Sequence, residues 1–337
     1  MRISRWLLIT FCAAVLAIPC HLGAEPEVRK ARPVKETAAS EEADSEASQA
    51  PKKAKKQKHA SKPKRAPKPD EDSDDATEPP PPQTPLPVAG TGSRIPPSTR
   101  ALAVMVVDAR TGEILYEKNA DATRPAASTQ KLLTALVVAE EGYLDQAVTV
   151  QPVDTFAEPV KLNIKAGETY RRLDLLRALL VKSPNDVARC LARDNAGSIE
   201  NFAEKMNAKA QQLGASHSFF LNPNGLPLPG QYSTARDLAV IARAAYANPT
   251  IRSIVCLPRL VFRYANGRTR ELENTNKVLR RLSFCNGMKT GYTEAAGHCL
   301  IASGTRPGRD VIAVVLGDSK AGVWQDASAL LTWGLAM

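Results

Sequence analysis

The chain has 337 residues, 43% of them hydrophobic and 24% charged, with a formal net charge of +10. That composition is ordinary for a globular protein, and the length would accommodate two domains. The positive charge is spread out: residues 1–98 hold 16 Lys or Arg against 13 Asp or Glu, and residues 99–337 hold 29 against 22. A diffuse field of this kind suits an anionic partner and argues against a nucleic-acid-binding stripe.

Residues 1–24 have the three parts of a secretory signal. Arg2 and Arg5 form the charged end, Trp6 to Ile18 is apolar, and Leu22-Gly23-Ala24 places a small residue for cleavage after Ala24. The apolar run is short of the roughly 20 residues that a spanning helix needs, so cleavage is expected rather than retention as an anchor. Pro19 before Cys20 is unsuited to lipoprotein processing. The protein is therefore expected to be exported, to a periplasm or cell-wall space.

Residues 25–98 are expected to be a disordered linker. They carry a lysine block from Lys52 to Lys68, an acidic block from Asp70 to Glu78 and a proline run from Pro79 to Pro82. With almost no large apolar side chains, such a stretch cannot offset its ordering entropy. The basic block suits electrostatic contact with an anionic wall or membrane; a plain solvated spacer is the alternative.

From Thr99 to Met337 the pattern is that of one folded domain. Ala101–Val107 and Ile114–Tyr116 read as a hairpin across Asp108-Ala109-Arg110-Thr111-Gly112. Helices are expected over Ser128–Glu140, Arg172–Val181 and about Ile199–Leu213, the last with Ser198 as N-cap and Gly214 just past its end. Another starts at Thr234 and is stopped by Asn248-Pro249. Asn266-Gly267 marks a second hairpin between Leu260–Tyr264 and Thr269–Leu272. Strands follow at Gly287–Gly291, His298–Ser303 and Val311–Gly317, then a helix from about Ala321. Strands, a block of helices, then strands and a helix imply an α/β domain whose largely antiparallel sheet is closed by both chain ends.

Three short motifs occur in order. Ser128-Thr129-Gln130-Lys131 is S-x-x-K, Ser183-Pro184-Asn185 is S-x-N, and Lys289-Thr290-Gly291 is K-T-G. With Ser128 at a helix start, Lys131 lies one turn on and on the same face. A serine hydroxyl needs a base within reach, and a lysine held out of water loses pKa and can be that base. Ser183 can relay a proton toward a leaving amine while Asn185 holds Lys131 and a substrate carbonyl. Lys289 with Thr290 suits a terminal carboxylate, and Gly291 lets a substrate strand approach the backbone.

Together these motifs are the set found in penicillin-binding proteins and class A β-lactamases. The domain resembles the low-molecular-mass penicillin-binding proteins, the serine-type D-alanyl-D-alanine carboxypeptidase and endopeptidase family, over roughly Ala101 to Gly317. Further carriers are Val107–Leu115, Leu221–Leu226, Gly230–Leu238 and Met288–Thr293. The resemblance implies a DD-peptidase/β-lactamase-like α/β fold, an antiparallel sheet flanked by helices with an all-helical subregion. It implies Ser128 as acyl-ester nucleophile, Lys131 as proton acceptor, Ser183 and Asn185 as the second motif, and Lys289, Thr290, Gly291 and Tyr292 as substrate-binding residues. Backbone N–H groups of Ser128 and Tyr292 would form the oxyanion hole. The implied substrates are peptidoglycan stem peptides ending in D-Ala-D-Ala, with β-lactams as inhibitors and no cofactor, metal or nucleic acid.

The chain departs from the family pattern at Gln130, where threonine is usual, at Pro184, where glycine or alanine is usual, and at Asn224, where histidine is frequent. Many relatives continue past the point of Met337 into a β-rich domain and a membrane-associating helix, so anchoring by that route is not expected. Other readings have specific requirements. A Ser-His-Asp hydrolase needs a histidine, and beyond the linker only His217 and His298 are present, both expected to be structural. A β-lactamase needs a deacylating glutamate; Glu200 and Glu204 fall on the solvent face of a helical pattern. A DD-endopeptidase differs only in what lies beyond the scissile bond, and a non-catalytic wall-binding module would not need the serine–lysine pair. Four cysteines lie beyond the signal, none spaced C-x-x-C, which argues against a zinc cage. Cys285 and Cys299 are candidates for facing positions on adjacent strands, able to form a disulfide in an oxidising compartment or to remain buried thiols.

Overall fold

A computed structural model of the protein describes residues 94–337. The signal segment 1–24 and nearly all of the proposed linker lie outside the described residues.

The central sheet is built from both ends of this region. Strand β1 (Ala103–Asp108) turns into β2 (Ile114–Lys118), and the C-terminal strands are β7 (Cys285–Thr293), β8 (Gly297–Arg306) and β9 (Arg309–Asp318). Their spatial order is β2-β1-β9-β8-β7, with every neighbouring pair antiparallel. The first strand of the domain thus pairs with its last, as the element order implies. The β1–β2 turn is fixed by Asp108, whose Oδ1 accepts from the N–H groups of Arg110 and Thr111, both at 2.9 Å.

Both faces of this sheet are covered, so β1 reads as continuous apolar sequence rather than as alternation. Ala103, Met105 and Val107 point into the large core shared with the helices. Val104 and Val106 point the other way, into a second core with helix α8 (Gly322–Gly334), where Leu330, Leu331 and Trp333 meet them. Alternating strand geometry distributes the side chains between the two layers.

The helical part lies between β2 and β7 in sequence. It contains α1 (Lys131–Glu141), α2 (Arg172–Lys182), α3 (Asn185–Ala196), α4 (Ile199–Leu213), α5 (Ala235–Ala247), α6 (Pro249–Val255) and the short α7 (Val278–Arg281). Ser198 caps α4 by accepting from Asn201 N at 3.1 Å, and Thr234 caps α5 by accepting from Asp237 N at 3.0 Å. Two features depart from expectation. Pro249 does not simply end a helix: α5 stops at Ala247, and Asn248 then caps α6 with Pro249 at its first position, where the missing N–H costs nothing. Helix α3 is not among the helices expected from the sequence; Pro184 is its N-cap. Two small antiparallel pairs complete the region, β3 (Ala147–Thr149) with β4 (Thr169–Arg171), and β5 (Arg259–Arg263) with β6 (Thr269–Glu273) across Asn266-Gly267.

The facing-cysteine expectation is corrected. Strands β7 and β8 are neighbours, but Cys285 pairs with Gly304 and Cys299 pairs with Gly291. A five-residue offset along a strand is about 16 Å at ~3.3 Å per residue, far beyond disulfide reach. Both residues are buried free thiols, and burial pushes each up to about 11.

Candidate active site

Ser128 lies in a single 3-10 turn, Ala127–Gln130, that runs directly into α1. Lys131, the first residue of α1, stands three positions on, and its Nζ lies 2.8 Å from Ser128 Oγ. Entry to this turn is tight. Ala127 has φ +47, and Thr129 Oγ1 donates to Ala126 O at 2.5 Å. Two glycines allow neighbouring backbone to close on it. A Cβ on Gly225, itself at φ +84, would sit 2.0 Å from Ala127 O, and a Cβ on Gly291 would sit 2.8 Å from Ser128 N. No side chain fits at either point, so β7 and the loop after α4 press directly on the backbone of Ala127 and Ser128.

Lys131 is completely buried. Its Nζ has two further partners, Asn185 Oδ1 and Asn224 O, each at 2.7 Å. Burial first, and the Lys289 ammonium second, hold its pKa well below the lysine range. The neutral amine so favoured has two N–H bonds and one lone pair. Donation to Asn185 and Asn224 leaves the lone pair for the Ser128 hydroxyl. Ser128 Oγ has one other neighbour, Asn224 O at 3.3 Å.

The second motif bridges two helices. Ser183 is the C-cap of α2 in the left-handed conformation (φ 69, ψ 27), a geometry that costs a non-glycine residue and recurs at functional sites. Pro184 follows in extended conformation and Asn185 opens α3. Asn185 Oδ1 thereby reaches Lys131, and Asn185 N donates to Val160 O at 2.7 Å. Ser183 Oγ is buried and has no hydrogen-bond partner among the described residues. The next residue, Asp186, is also buried. Its carboxylate accepts from the N–H groups of Leu162, Asn163 and Ile164, which ties the 158–164 segment against the motif. Burial raises the Asp186 pKa, with those backbone bonds acting the other way.

The third motif is on β7. Lys289 is buried, and its Nζ donates to Thr290 O at 3.0 Å. Thr290 Oγ1 donates to Thr275 Oγ1 at 2.6 Å, which links the strand to the segment after β6. Tyr292 is 56% exposed and stacks on His298, with ring centroids 4.3 Å apart. The sequence positions named by all three motifs therefore converge on one place: S-x-x-K and S-x-N meet at Lys131, and K-T-G presses on Ser128 through Gly291.

The alternatives fare differently. His298 lies beside Tyr292 rather than Ser128, and burial lowers its pKa; His217 is exposed next to Ser216. The partners of Ser128 are a lysine and a carbonyl, not an imidazole. Glu200 and Glu204 are exposed on α4, as the helical pattern implies. Among the described residues there is no cluster of three side chains able to hold a metal.

Sequence reasoning missed the Asn224 carbonyl as a third partner of Lys131, and it missed Asp186. Asn222 to Gly225 lie in the Leu221–Leu226 stretch that carries the family resemblance, but nothing in that stretch says which backbone oxygen it offers to Lys131. Gln130 proves to be structural: its Nε2 donates to Asn222 O at 2.6 Å and so holds that same turn over α1.

Residues 91–320 match the family described as D-alanyl-D-alanine carboxypeptidase. A D-alanyl-D-alanine carboxypeptidase of Mycobacterium tuberculosis is 38% identical over 72% of this chain and 84% of its own. A D-alanyl-D-alanine endopeptidase of Escherichia coli is 33% identical over 70% of this chain and 78% of its own. The crystal structure of a Streptomyces DD-transpeptidase superposes with a TM-score of 0.68 at 30% identity, covering 72% of this chain and all of that one.

Proposed function

Because this chain belongs to the D-alanyl-D-alanine carboxypeptidase family, and is therefore a serine DD-peptidase, we propose that it removes the terminal D-alanine of stem pentapeptides through an acyl-enzyme on Ser128. The observation that carries this reading is the buried Lys131 amine 2.8 Å from Ser128 Oγ.

The geometry supports the following course of reaction. Lys131 accepts the hydroxyl proton as Oγ attacks the carbonyl of the penultimate D-alanine. The oxyanion forms against the N–H groups of Ser128 and Tyr292, a placement supported by the approach that Gly291 allows. The C-terminal carboxylate of the substrate meets Lys289 and Thr290. Ser183, whose buried hydroxyl has no partner among the described residues, passes the proton from Lys131 to the departing amine. Breaking the C–N bond releases D-alanine and leaves an ester, which water then hydrolyses with Lys131 again as base. A β-lactam enters by the same attack, but its leaving nitrogen remains tethered and obstructs water.

Relatives named carboxypeptidase and endopeptidase stand at similar identity, so the bond cleaved in the wall is a matter for assay. Purified protein given isolated muropeptides should release free D-alanine from pentapeptide monomers faster than it splits cross-linked dimers. The opposite ratio would make it an endopeptidase. We place the reaction outside the cytoplasm, on the signal-like residues 1–24, with 25–98 as a spacer whose lysine block contacts anionic wall or membrane and 99–337 as the catalytic domain.

A further inference from the structure

Within the domain the positive charge is concentrated, not diffuse. Residues 249–283 hold eight Lys or Arg against two Glu, so this stretch supplies six of the seven net charges of residues 99–337. Seven of the eight are arginine. The stretch folds as α6, the β5–β6 hairpin and α7. At the base of the hairpin charge is balanced: Arg259 meets Glu271 at 3.1 Å, and Arg280 meets Glu273 at 3.3 Å. Those contacts use both carboxylates. At the tip, Arg263, Arg268 and Arg270 are exposed, and none of the three makes an ion pair among the described residues.

The tip holds these side chains apart. Arg270 stands across from Phe262 and Arg263 across from Thr269, so the two arginines leave the ribbon on opposite faces. The Arg268 guanidinium lies over the Tyr264 ring, 4.6 Å from its centroid. Tyr264 is buried, and its hydroxyl donates to Leu162 O at 2.9 Å, which seats the tip on residues 162–170. That segment adds the exposed Lys165. Its one carboxylate, Glu168, is committed to Lys165 N at 2.8 Å and to the Tyr170 hydroxyl at 2.6 Å.

Guanidinium groups that point to different sides of a turn do not converge on one small anion. They suit many separate anions that can rearrange around them, and the planar fork matches phosphate. The headgroups of an anionic bilayer are such a field, mobile and able to offer one phosphate to each arginine. With Tyr264 buried, the tip has no large apolar side chain to insert, so contact stays at headgroup level. A patch of this size binds weakly by itself. The same chain carries nine Lys or Arg from Lys52 to Lys68, and two linked patches on one surface hold far more tightly than either.

We propose that the β5–β6 tip, through Arg263, Arg268 and Arg270, is a docking surface for an anionic phospholipid bilayer. The surface lies outside the reaction centre and does not depend on which bond the enzyme cleaves.

The test is sedimentation of the full-length protein with phosphatidylcholine vesicles, with and without about 30% phosphatidylglycerol. The parent should bind only the anionic vesicles at about 0.05 M salt and be released at about 0.5 M. Arg263→Gln, Arg268→Gln and Arg270→Gln together should weaken partition about tenfold or more, toward the hundredfold that three basic residues supply at about fivefold each. Arg263→Gln alone, which leaves the Arg268–Tyr264 contact in place, should weaken it about fivefold. Lysine at all three positions should keep the binding, since the attraction follows charge. D-alanine release from a soluble peptide should be unchanged in every variant: Arg270 is five residues, about 16 Å of extended chain, from Thr275. Failure of the parent to bind anionic vesicles at low salt overturns the proposal. So does equal binding by parent and triple glutamine variant, which would leave the contact to residues 52–68. Unchanged vesicle binding with lost affinity for soluble inorganic polyphosphate would make the partner an anionic polymer instead of a membrane.

Discussion

Replacing Lys131 with methionine removes the amine while keeping the shape of the side chain, and the surroundings of Lys131 allow its cost to be divided. Chemically, the variant deletes the one nitrogen among the described residues that hydrogen-bonds Ser128 Oγ, at 2.8 Å. Loss of a positioned base costs about a hundred- to ten-thousandfold in rate, and acylation by a fluorescent penicillin should fall by that factor. Structurally, Asn185 Oδ1 and Asn224 O lose a donor, at about 1–3 kcal/mol each when left unsatisfied. Removal of a buried ionisable group offsets part of this, so the protein should stay folded with a melting temperature lowered by only several degrees, at roughly 2–4 °C per kcal/mol. The pH profile supplies an independent check. The neutral amine is the active form, so acylation by the parent falls as pH drops through the folded-state pKa of Lys131, which lies well below the ordinary 10.5. Over the window between that value and 10.5 the unfolded chain binds the proton and the native chain does not, so stability rises with pH there. Stopped-flow acylation from acid to mildly alkaline pH measures the limb directly. Acylation of Lys131→Met within tenfold of the parent, with the same acid limb, would refute lysine as the base.

Three further outcomes are expected. Lys289→Ala should lower acylation efficiency about ten- to a hundredfold for both peptide and penicillin, since a charge-assisted contact to a carboxylate is worth about 1.5–3 kcal/mol; loss with only one ligand would contradict a shared carboxylate site. Gly225→Ala should abolish acylation and lower thermal stability, because the new Cβ would lie 2.0 Å from Ala127 O at φ +84; normal labelling with an unchanged melting curve would show that the turn can yield. A chain starting near Ser98 should keep its turnover number on a soluble peptide ending in D-Ala-D-Ala, and a large loss in the folded protein would give residues 25–98 a part in the chemistry.

The motifs made the reactive side chains legible in sequence because each depends on local geometry. The three-residue spacing of Ser128 and Lys131 brings them together on any helical turn, and Lys289 to Gly291 on a strand presents its residues by simple alternation. The strands and capped helices were legible for the same reason, through period and caps at Ser198 and Thr234. What the sequence did not reveal depends on contacts between distant segments. That a helix starts directly after Pro184 is decided by packing of Asn185 and Asp186 against the 158–164 segment. That Asn224 offers a carbonyl to Lys131 is decided by the close approach of Gly225 to Ala127. Register, by contrast, follows from the spacing: a hairpin turning through Gly291–Gly297 is symmetric about residue 294, which sets Cys285 opposite residues 303–304 and Cys299 opposite residues 289–291, so the two cysteines do not face each other.

The account stands or falls on Ser128 as the residue that becomes acylated. The direct measurement is peptide mapping by mass spectrometry after a brief exposure to penicillin, with adduct lifetime followed on the intact protein. One penicilloyl group on the peptide containing Ser128, absent from a folded Ser128→Ala variant and persisting far longer than the peptide acyl-enzyme, is the predicted result. An adduct on another residue, or labelling of Ser128→Ala at the parent's rate, would contradict it. Clearance of the adduct within seconds, with steady hydrolysis of bulk penicillin, would instead mark a β-lactamase.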